Sequence, residues 1–310
     1  MPSPSAPLSE GTDINLDVAP PKQTALIFAE GPDGAVFYSS GQVIYVVDGD
    51  GPAAIALHPG ATVLGLAAGP TDLYVATTTA LVSYSRATGN QVGSWPLTAS
   101  PGTPTSAGVA LGDDGTAWVW TDWATDESGY EYATLYVIPP GASQASVVSQ
   151  QVDAGSLVAN GSDAYFAQPD QSTAGSTIVE WVPSAANPPG VEVVGASAPS
   201  ESLAAFYQGQ AVLEGTNDLD SYNPAQGVSG PAQASSVHAP FVAAMAGTGA
   251  GLLLLTCPSS SSCTTLIRID QSTGATESTL DVPGAEPLLL GPYPAVVVVE
   301  SGQEHLIRLA

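Results

Sequence analysis

The segment Thr121 to Ala133, TDWATDESGYEYA, sets three rings, Trp123, Tyr130 and Tyr132, among four carboxylates, Asp122, Asp126, Glu127 and Glu131. Aromatic faces stack on sugars or on a cation. Carboxylates accept hydrogen bonds from hydroxyl, amide and ammonium donors. This set suits recognition of a glycan, a peptide or a cationic group. The competing use of the rings is to pack the segment onto its own sheet. Just upstream, Trp118 and Trp120 share one face of a strand and are expected to pack between sheets.

Other residues are thinner in chemistry. Of three histidines, His58 and His238 fall in connections between repeats and His305 near the end. A two-histidine site or an acid–base pair is imaginable there, but a lyase or hydrolase wants a denser cluster of His, Asp and a base. The DGDG at Asp48 to Gly51 has the opening spacing of a calcium loop without its later acceptor and bidentate Glu. It is expected to be a turn, and Asp218 and Asp220 are no stronger. No G-x-S-x-G, P-loop, dinucleotide fingerprint or zinc motif occurs. No catalytic residue, metal or cofactor is therefore assigned.

The elements that must position the ring-and-acid segment are short strands. Val63 to Leu97 reads VLGLAAGPTD, LYVATTT, ALVSYSRATG, NQVGSWPL. Short β-branched or aromatic runs cut by Gly, Asp and Asn turns form an antiparallel meander, not helices. Four such strands make one blade of a β-propeller. The unit recurs. GPDG, GPTD, GDDG, NGSD, YQGQ and GTGAG each separate the first two strands of a repeat. SRATGNQ, NPAQGVS and DQSTGAT separate the third and fourth. The Asp-Gly and Asn-Gly turns supply the positive φ that tight hairpins need. Seven repeats can be set out, the last with only three strands. An orphan strand, DINLDV at Asp13 to Val18, precedes the first. The expected fold is all-β: a seven-bladed β-propeller over residues 13–310, its last blade closed by the N-terminal strand, after a disordered Pro/Ser-rich lead at 1–12. A β-sandwich is the rival fold, and it does not explain the period.

LYVATTTALVSYSRATGNQVGSW resembles the repeat of quinoprotein-like and YVTN-type propellers, and LIRIDQSTGATESTL repeats its second half. The resemblance covers most of the chain as repeat pattern. It implies the propeller fold. It does not select a function, because such propellers serve as enzymes, receptors and scaffolds. A pyrroloquinoline quinone site is not expected: there is no adjacent Cys pair, the blade count differs, and basic residues are scarce.

Propellers generally bind on the face formed by loops between second and third strands and by the connections between blades. Three such loops are long here: Thr121 to Ala133, Gln168 to Thr177, and the CPSSSSC between Cys257 and Cys263. The first is the expected site, with Asp122, Trp123, Asp126, Glu127, Tyr130, Glu131 and Tyr132 as ligand contacts. Cys257 and Cys263 are expected to form a disulfide across one hairpin, which belongs to an oxidising compartment.

Charge narrows the partners. The chain of 310 residues has 29 Asp and Glu against 4 Lys and Arg, a formal net charge of −25. Phosphate backbones and anionic membranes are poor partners for such a field. A neutral or cationic protein, peptide or glycan is a better one. No apolar run approaches the length of a membrane span. The opening MPSPSAPLSEGTD lacks an apolar signal core but resembles the tether that follows a removed signal or lipid-anchor segment. The expectation is a monomeric, exported, non-enzymatic binding module, at the cell envelope or extracellular. The alternative is a propeller lyase or hydrolase acting on an extracellular polymer or small ester.

Overall fold

The computed structural model describes residues 8–16, 26–40, 42–48, 51–57, 59–99, 102–125, 131–153, 157–160, 163–170, 175–181, 191–196, 202–207, 210–214, 218–222, 236–238, 242–248, 251–256, 263–270, 275–290, 295–300 and 303–309. Among them every regular element is a strand, and no helix is long and apolar enough to cross a membrane. Strand β1 (Glu10–Asn15) stands alone at the start. Five four-stranded antiparallel meanders follow in chain order. The first holds β2 (Ile27–Glu30), β3 (Val36–Ser40), β4 (Val43–Asp48) and β5 (Gly51–Leu57). The second holds β6 (Val63–Ala68), β7 (Asp72–Thr77), β8 (Ala80–Ser85) and β9 (Gln91–Pro96). The third holds β10 (Ala107–Leu111), β11 (Ala117–Thr125), β12 (Glu131–Ile138) and β13 (Ser146–Asp153). The fourth holds β14 (Val158–Asn160), β15 (Asp163–Asp170), β16 (Gly175–Trp181) and β17 (Val191–Ala196). The fifth holds β18 (Ser202–Tyr207), β19 (Gln210–Glu214), β20 (Asp218–Tyr222) and β21 (Ser236–His238).

The last sheet joins β22 (Val242–Thr248), β23 (Gly251–Thr256), β24 (Cys263–Asp270), β25 (Ala275–Leu290), β26 (Ala295–Glu300) and β27 (Gln303–Leu309), with β1 on its far edge. Strand β25 pairs with β24 along its first part and with β26 along its second. Leu253, Leu255 and Leu266 on one side share a cluster with Val296, Val298 and Ile307 on the other. Strand β25 also lies close to β23 and β22, two and three strands away in the ladder, so the sheet is folded along β25.

Both faces of a sheet are buried, which is why the strands read as dense apolar runs. Val36 and Tyr38 on β3 meet Ile14, Leu16, Val297 and Leu306, while Phe37 between them meets Leu66, Leu73 and Val75 of the second sheet. Ala117 and Val119 face the second sheet, and Trp118, fully buried, joins Phe166 of the fourth with Trp120 against it. The two tryptophans pack between sheets, as their spacing predicts. First strands of successive sheets lie beside one another from β2 through β6, β10, β14, β18 and β22 to β25, which touches β2 again. The sheets thus close into a ring.

The N-terminal strand pairs where the repeat count placed it, antiparallel to β27 with Ile14 opposite Leu306 and Asn15 opposite His305. Its bounds differ from DINLDV. It begins at Glu10, inside the stretch read as a disordered lead, because Leu8 ahead of it is buried with Leu253 and Leu255. Leu16 beyond it still donates its N–H to the Glu304 carbonyl at 3.0 Å. His305 Nδ1 lies 3.0 Å from Asp13 Oδ1 across this seam.

Candidate functional site

Within the Thr121 to Ala133 segment, residues 121–125 and 131–133 are paired strand, not the loop expected there. Pairing continues through Thr121–Thr134 and Asp122–Ala133, passes a bulge, and resumes at Ala124–Tyr132 and Thr125–Glu131. Alternating Thr, Ala and aromatic residues sustain the ladder. The Gln168 to Thr177 stretch is likewise paired as far as Asp170 opposite Gly175.

The structure brings together Asp122, Trp123 and Tyr132. The Trp123 and Tyr132 rings are 5.8 Å apart at 31°. The Trp123 indole N–H donates to the Gln150 carbonyl at 3.2 Å, and Gln150 Nε2 donates to the Ala99 carbonyl at 3.2 Å. These bonds fix the ring pair without burying it: Trp123 and Tyr132 are half-buried. The Asp122 carboxylate accepts from Thr105 N at 2.7 Å, Thr105 Oγ1 at 2.5 Å and Ser106 N at 2.8 Å. Three donors on two oxygens hold the incoming chain against β11, a structural task. Asp126, Glu127 and Tyr130 lie outside the described residues, and Glu131 is placed as the first residue of β12.

Other expected features fall elsewhere. His238 is the last residue of β21, opposite Asp218, rather than in a connection, because the backbone ladder of the fifth sheet extends that far. His58 lies outside the described residues. Asp48 and Gly51 are cross-strand partners, the register of a hairpin. Cys263 begins β24, and Cys257 lies outside the described residues, as does the pairing expected between them.

A feature the sequence reading missed sits at the other end of β11. The turns after β2, β6 and β10, with the one after β12, enclose a cleft of about 690 Å³. Their geometry repeats. Gly31 N donates to Ala35 O and Gly112 N to Thr116 O, both at 2.8 Å. Gly34 and Gly115 close the two turns at φ 79° and 85°. The GPDG, GPTD and GDDG register signals these turns in the sequence, but not their assembly into one cleft. Arg86 ties two of these turns together, and Arg308 braces one of them from β27. Arg86 Nη2 forks onto both Asp33 oxygens at 2.6 Å, and its Nη1 reaches the Gly69 carbonyl at 2.7 Å. Its guanidinium carbon lies 5.1 Å from the Phe37 ring centre. Arg308 Nη2 donates to the Gly34 carbonyl at 2.7 Å.

Known proteins add the fold. No family model matches the chain, and no curated protein does. Solved structures match over nearly all of it. The Cps50 (Swd1) β-propeller domain of Myceliophteria thermophila superposes with a TM-score of 0.62 at 10% identity, covering 96% of this chain and 99% of that one. The chain is a β-propeller. A chain of the Mitotic Checkpoint Complex gives 0.61 at 11% identity, over 99% of this propeller and 96% of that chain. BBS1N, crystallised in complex with ARL6DN, gives 0.56 at 11% identity, over 88% and 86%. At such identity the likeness is one of fold.

Proposed function

We propose that this propeller is a non-enzymatic binding module that takes a neutral or cationic protein, peptide or glycan on the β11–β12 ribbon. The observation that carries the reading is the Trp123–Tyr132 pair, half-exposed and held in place by the Trp123–Gln150 bond. A fixed aromatic pair offers stacking area with little ordering left to do on binding. Tyr130, Asp126, Glu127 and Glu131 belong to the same segment and would complete the surface. A protein partner is in keeping with two of the similar propellers, which were crystallised within assemblies.

The blade count of seven belongs to this reading. It is supported by β25 serving as the last strand of one meander and the first of the next. Kinship with quinoprotein-like or YVTN-type propellers rests on the repeat pattern alone. Export, as a monomer, belongs to the same reading and rests on the scarcity of bases, 4 Lys and Arg against 29 Asp and Glu. A Cys257–Cys263 bridge goes with it. Alkylation of air-handled protein is expected to label neither thiol before reduction and both after. Two labelled thiols in native protein would count against both ideas.

Glycan and peptide arrays test the ribbon. Wild type is expected to retain hits that Trp123→Ala with Tyr132→Ala loses, at an unchanged melting temperature. If the double variant melts early and keeps its hits, the rings serve packing and the site is elsewhere.

A further inference from the structure

We propose that the cleft at the opposite end of β11 docks an extended, lysine- or arginine-bearing segment of a partner protein. Ala117, at the cleft end of β11, and Trp123 on the ribbon are six residues apart, roughly 20 Å of extended chain. The inference therefore stands or falls independently of the ribbon.

Three observations converge. First, the cleft is a preformed depression between sheets. Pro32, Pro70 and Pro140 sit on its turns and fix their φ. Tyr74 on its wall lies 6.4 Å from the Trp95 ring, and Trp95 Nε1 is bonded to the Ala142 carbonyl at 2.8 Å, anchoring that wall to the third sheet. Second, the lining is amphipathic in the way a basic segment requires. Ala68, Tyr74 and Leu111 supply apolar surface, and Glu30, Asp72 and Asp113 supply carboxylates. Lysine and arginine stems lie along apolar surface while their heads reach acids. Third, the charge is one-signed. Among the described residues no Lys, Arg or His lines the cleft, and the arginine beside it, Arg86, is matched by Asp33. Burial and the nearby Asp72 charge both raise the Tyr74 hydroxyl above its usual range, a local sign of the same negative field. A bare polyamine would use the acids and leave the apolar wall uncovered, so the occupant is a peptide segment.

Fluorescence anisotropy on the full chain tests this with a labelled peptide of alternating lysine and leucine, its glutamate–leucine counterpart, and spermine as competitor. The basic peptide is expected to bind, the acidic one not, and binding should weaken as salt rises. Asp72→Asn with Asp113→Asn should weaken it roughly tenfold. Asp281→Asn with Glu300→Gln, the same charge change elsewhere, should weaken it less than about twofold. Ala68→Trp, which fills the floor without altering charge, should abolish it. Melting curves accompany each variant, and Asp113→Asn alone serves if the double variant misfolds. Equal loss in the remote pair would mean that the peptide feels only the diffuse field, and overturns the proposal. Displacement by spermine as readily as by unlabelled peptide, or no binding of the basic peptide, overturns it as well.

Discussion

A chain lacking residues 1–16 is expected to lose most of its stability and to associate through its newly bared edge. Leu8, Ile14 and Leu16 are 6%, 2% and 1% exposed. Burial of side chains of this size contributes about 1.5–3 kcal/mol each. Their joint loss is comparable with the roughly 5–15 kcal/mol that holds a typical domain together. Two further costs follow. Tyr38, itself buried, donates its hydroxyl to the Leu16 carbonyl at 2.9 Å and would be left without that acceptor. Strand β27 would present unpaired N–H and C=O groups, a template for pairing with another copy. Urea unfolding and size-exclusion chromatography check both effects. If the truncated protein cannot be refolded, Leu16→Ala in the full chain should still lower stability by about 2–4 kcal/mol. A truncated chain that stays monomeric with an unchanged urea midpoint would show that the seam is dispensable.

That seam is legible in the sequence, for a physical reason. A ring of meanders leaves one repeat short and one strand over, and both show as pattern. The turn register was legible too, because Gly34 and Gly115 are needed at positive φ. What pattern could not give was how far pairing runs. TDWAT reads as the start of a loop because Asp122 breaks the apolar alternation, yet its backbone pairs as far as Thr125 opposite Glu131. Strand β25 errs the other way. Pro283 and Pro287 look like breaks, but neither is a cross-strand partner in the registers on either side. They fall where β25 passes from β24 to β26, so their missing N–H groups interrupt no ladder. The acid-lined cleft was hidden for a third reason. Its residues come from four turns far apart in sequence, and only the closeness of adjacent sheets assembles them. Arg86 was hidden in the same way. In SRATGNQ it is one turn residue, and nothing local announces that Asp33 lies within its reach.

Replacing Arg86 with Met should lower stability by about 3 kcal/mol and flatten the acid limb of the stability curve. The guanidinium is well buried, at 12% exposure, and satisfies the Gly69 and Pro70 carbonyls at 2.7 and 3.2 Å. Hydrogen bonds from a charged donor contribute about 1.5–3 kcal/mol each, and Met leaves these carbonyls facing an apolar chain. The Asp33 fork adds less, because Asp33 is 60% exposed and water screens the pair. Its signature is in pH. The Arg86 hydrogen bond holds the Asp33 carboxyl below its ordinary value of 3.8. A depressed carboxylate contributes stability that is present above that value and is lost as pH falls through the lower, folded value. Wild type should therefore lose more stability than Arg86→Met as pH falls through and below 3.8. Asp33→Asn should share the flattened acid limb while keeping most of the neutral-pH stability, since the two carbonyl bonds remain. Parallel acid limbs in all three proteins would mean that the fork has no energetic role, and that Arg86 acts through the Gly69 turn alone.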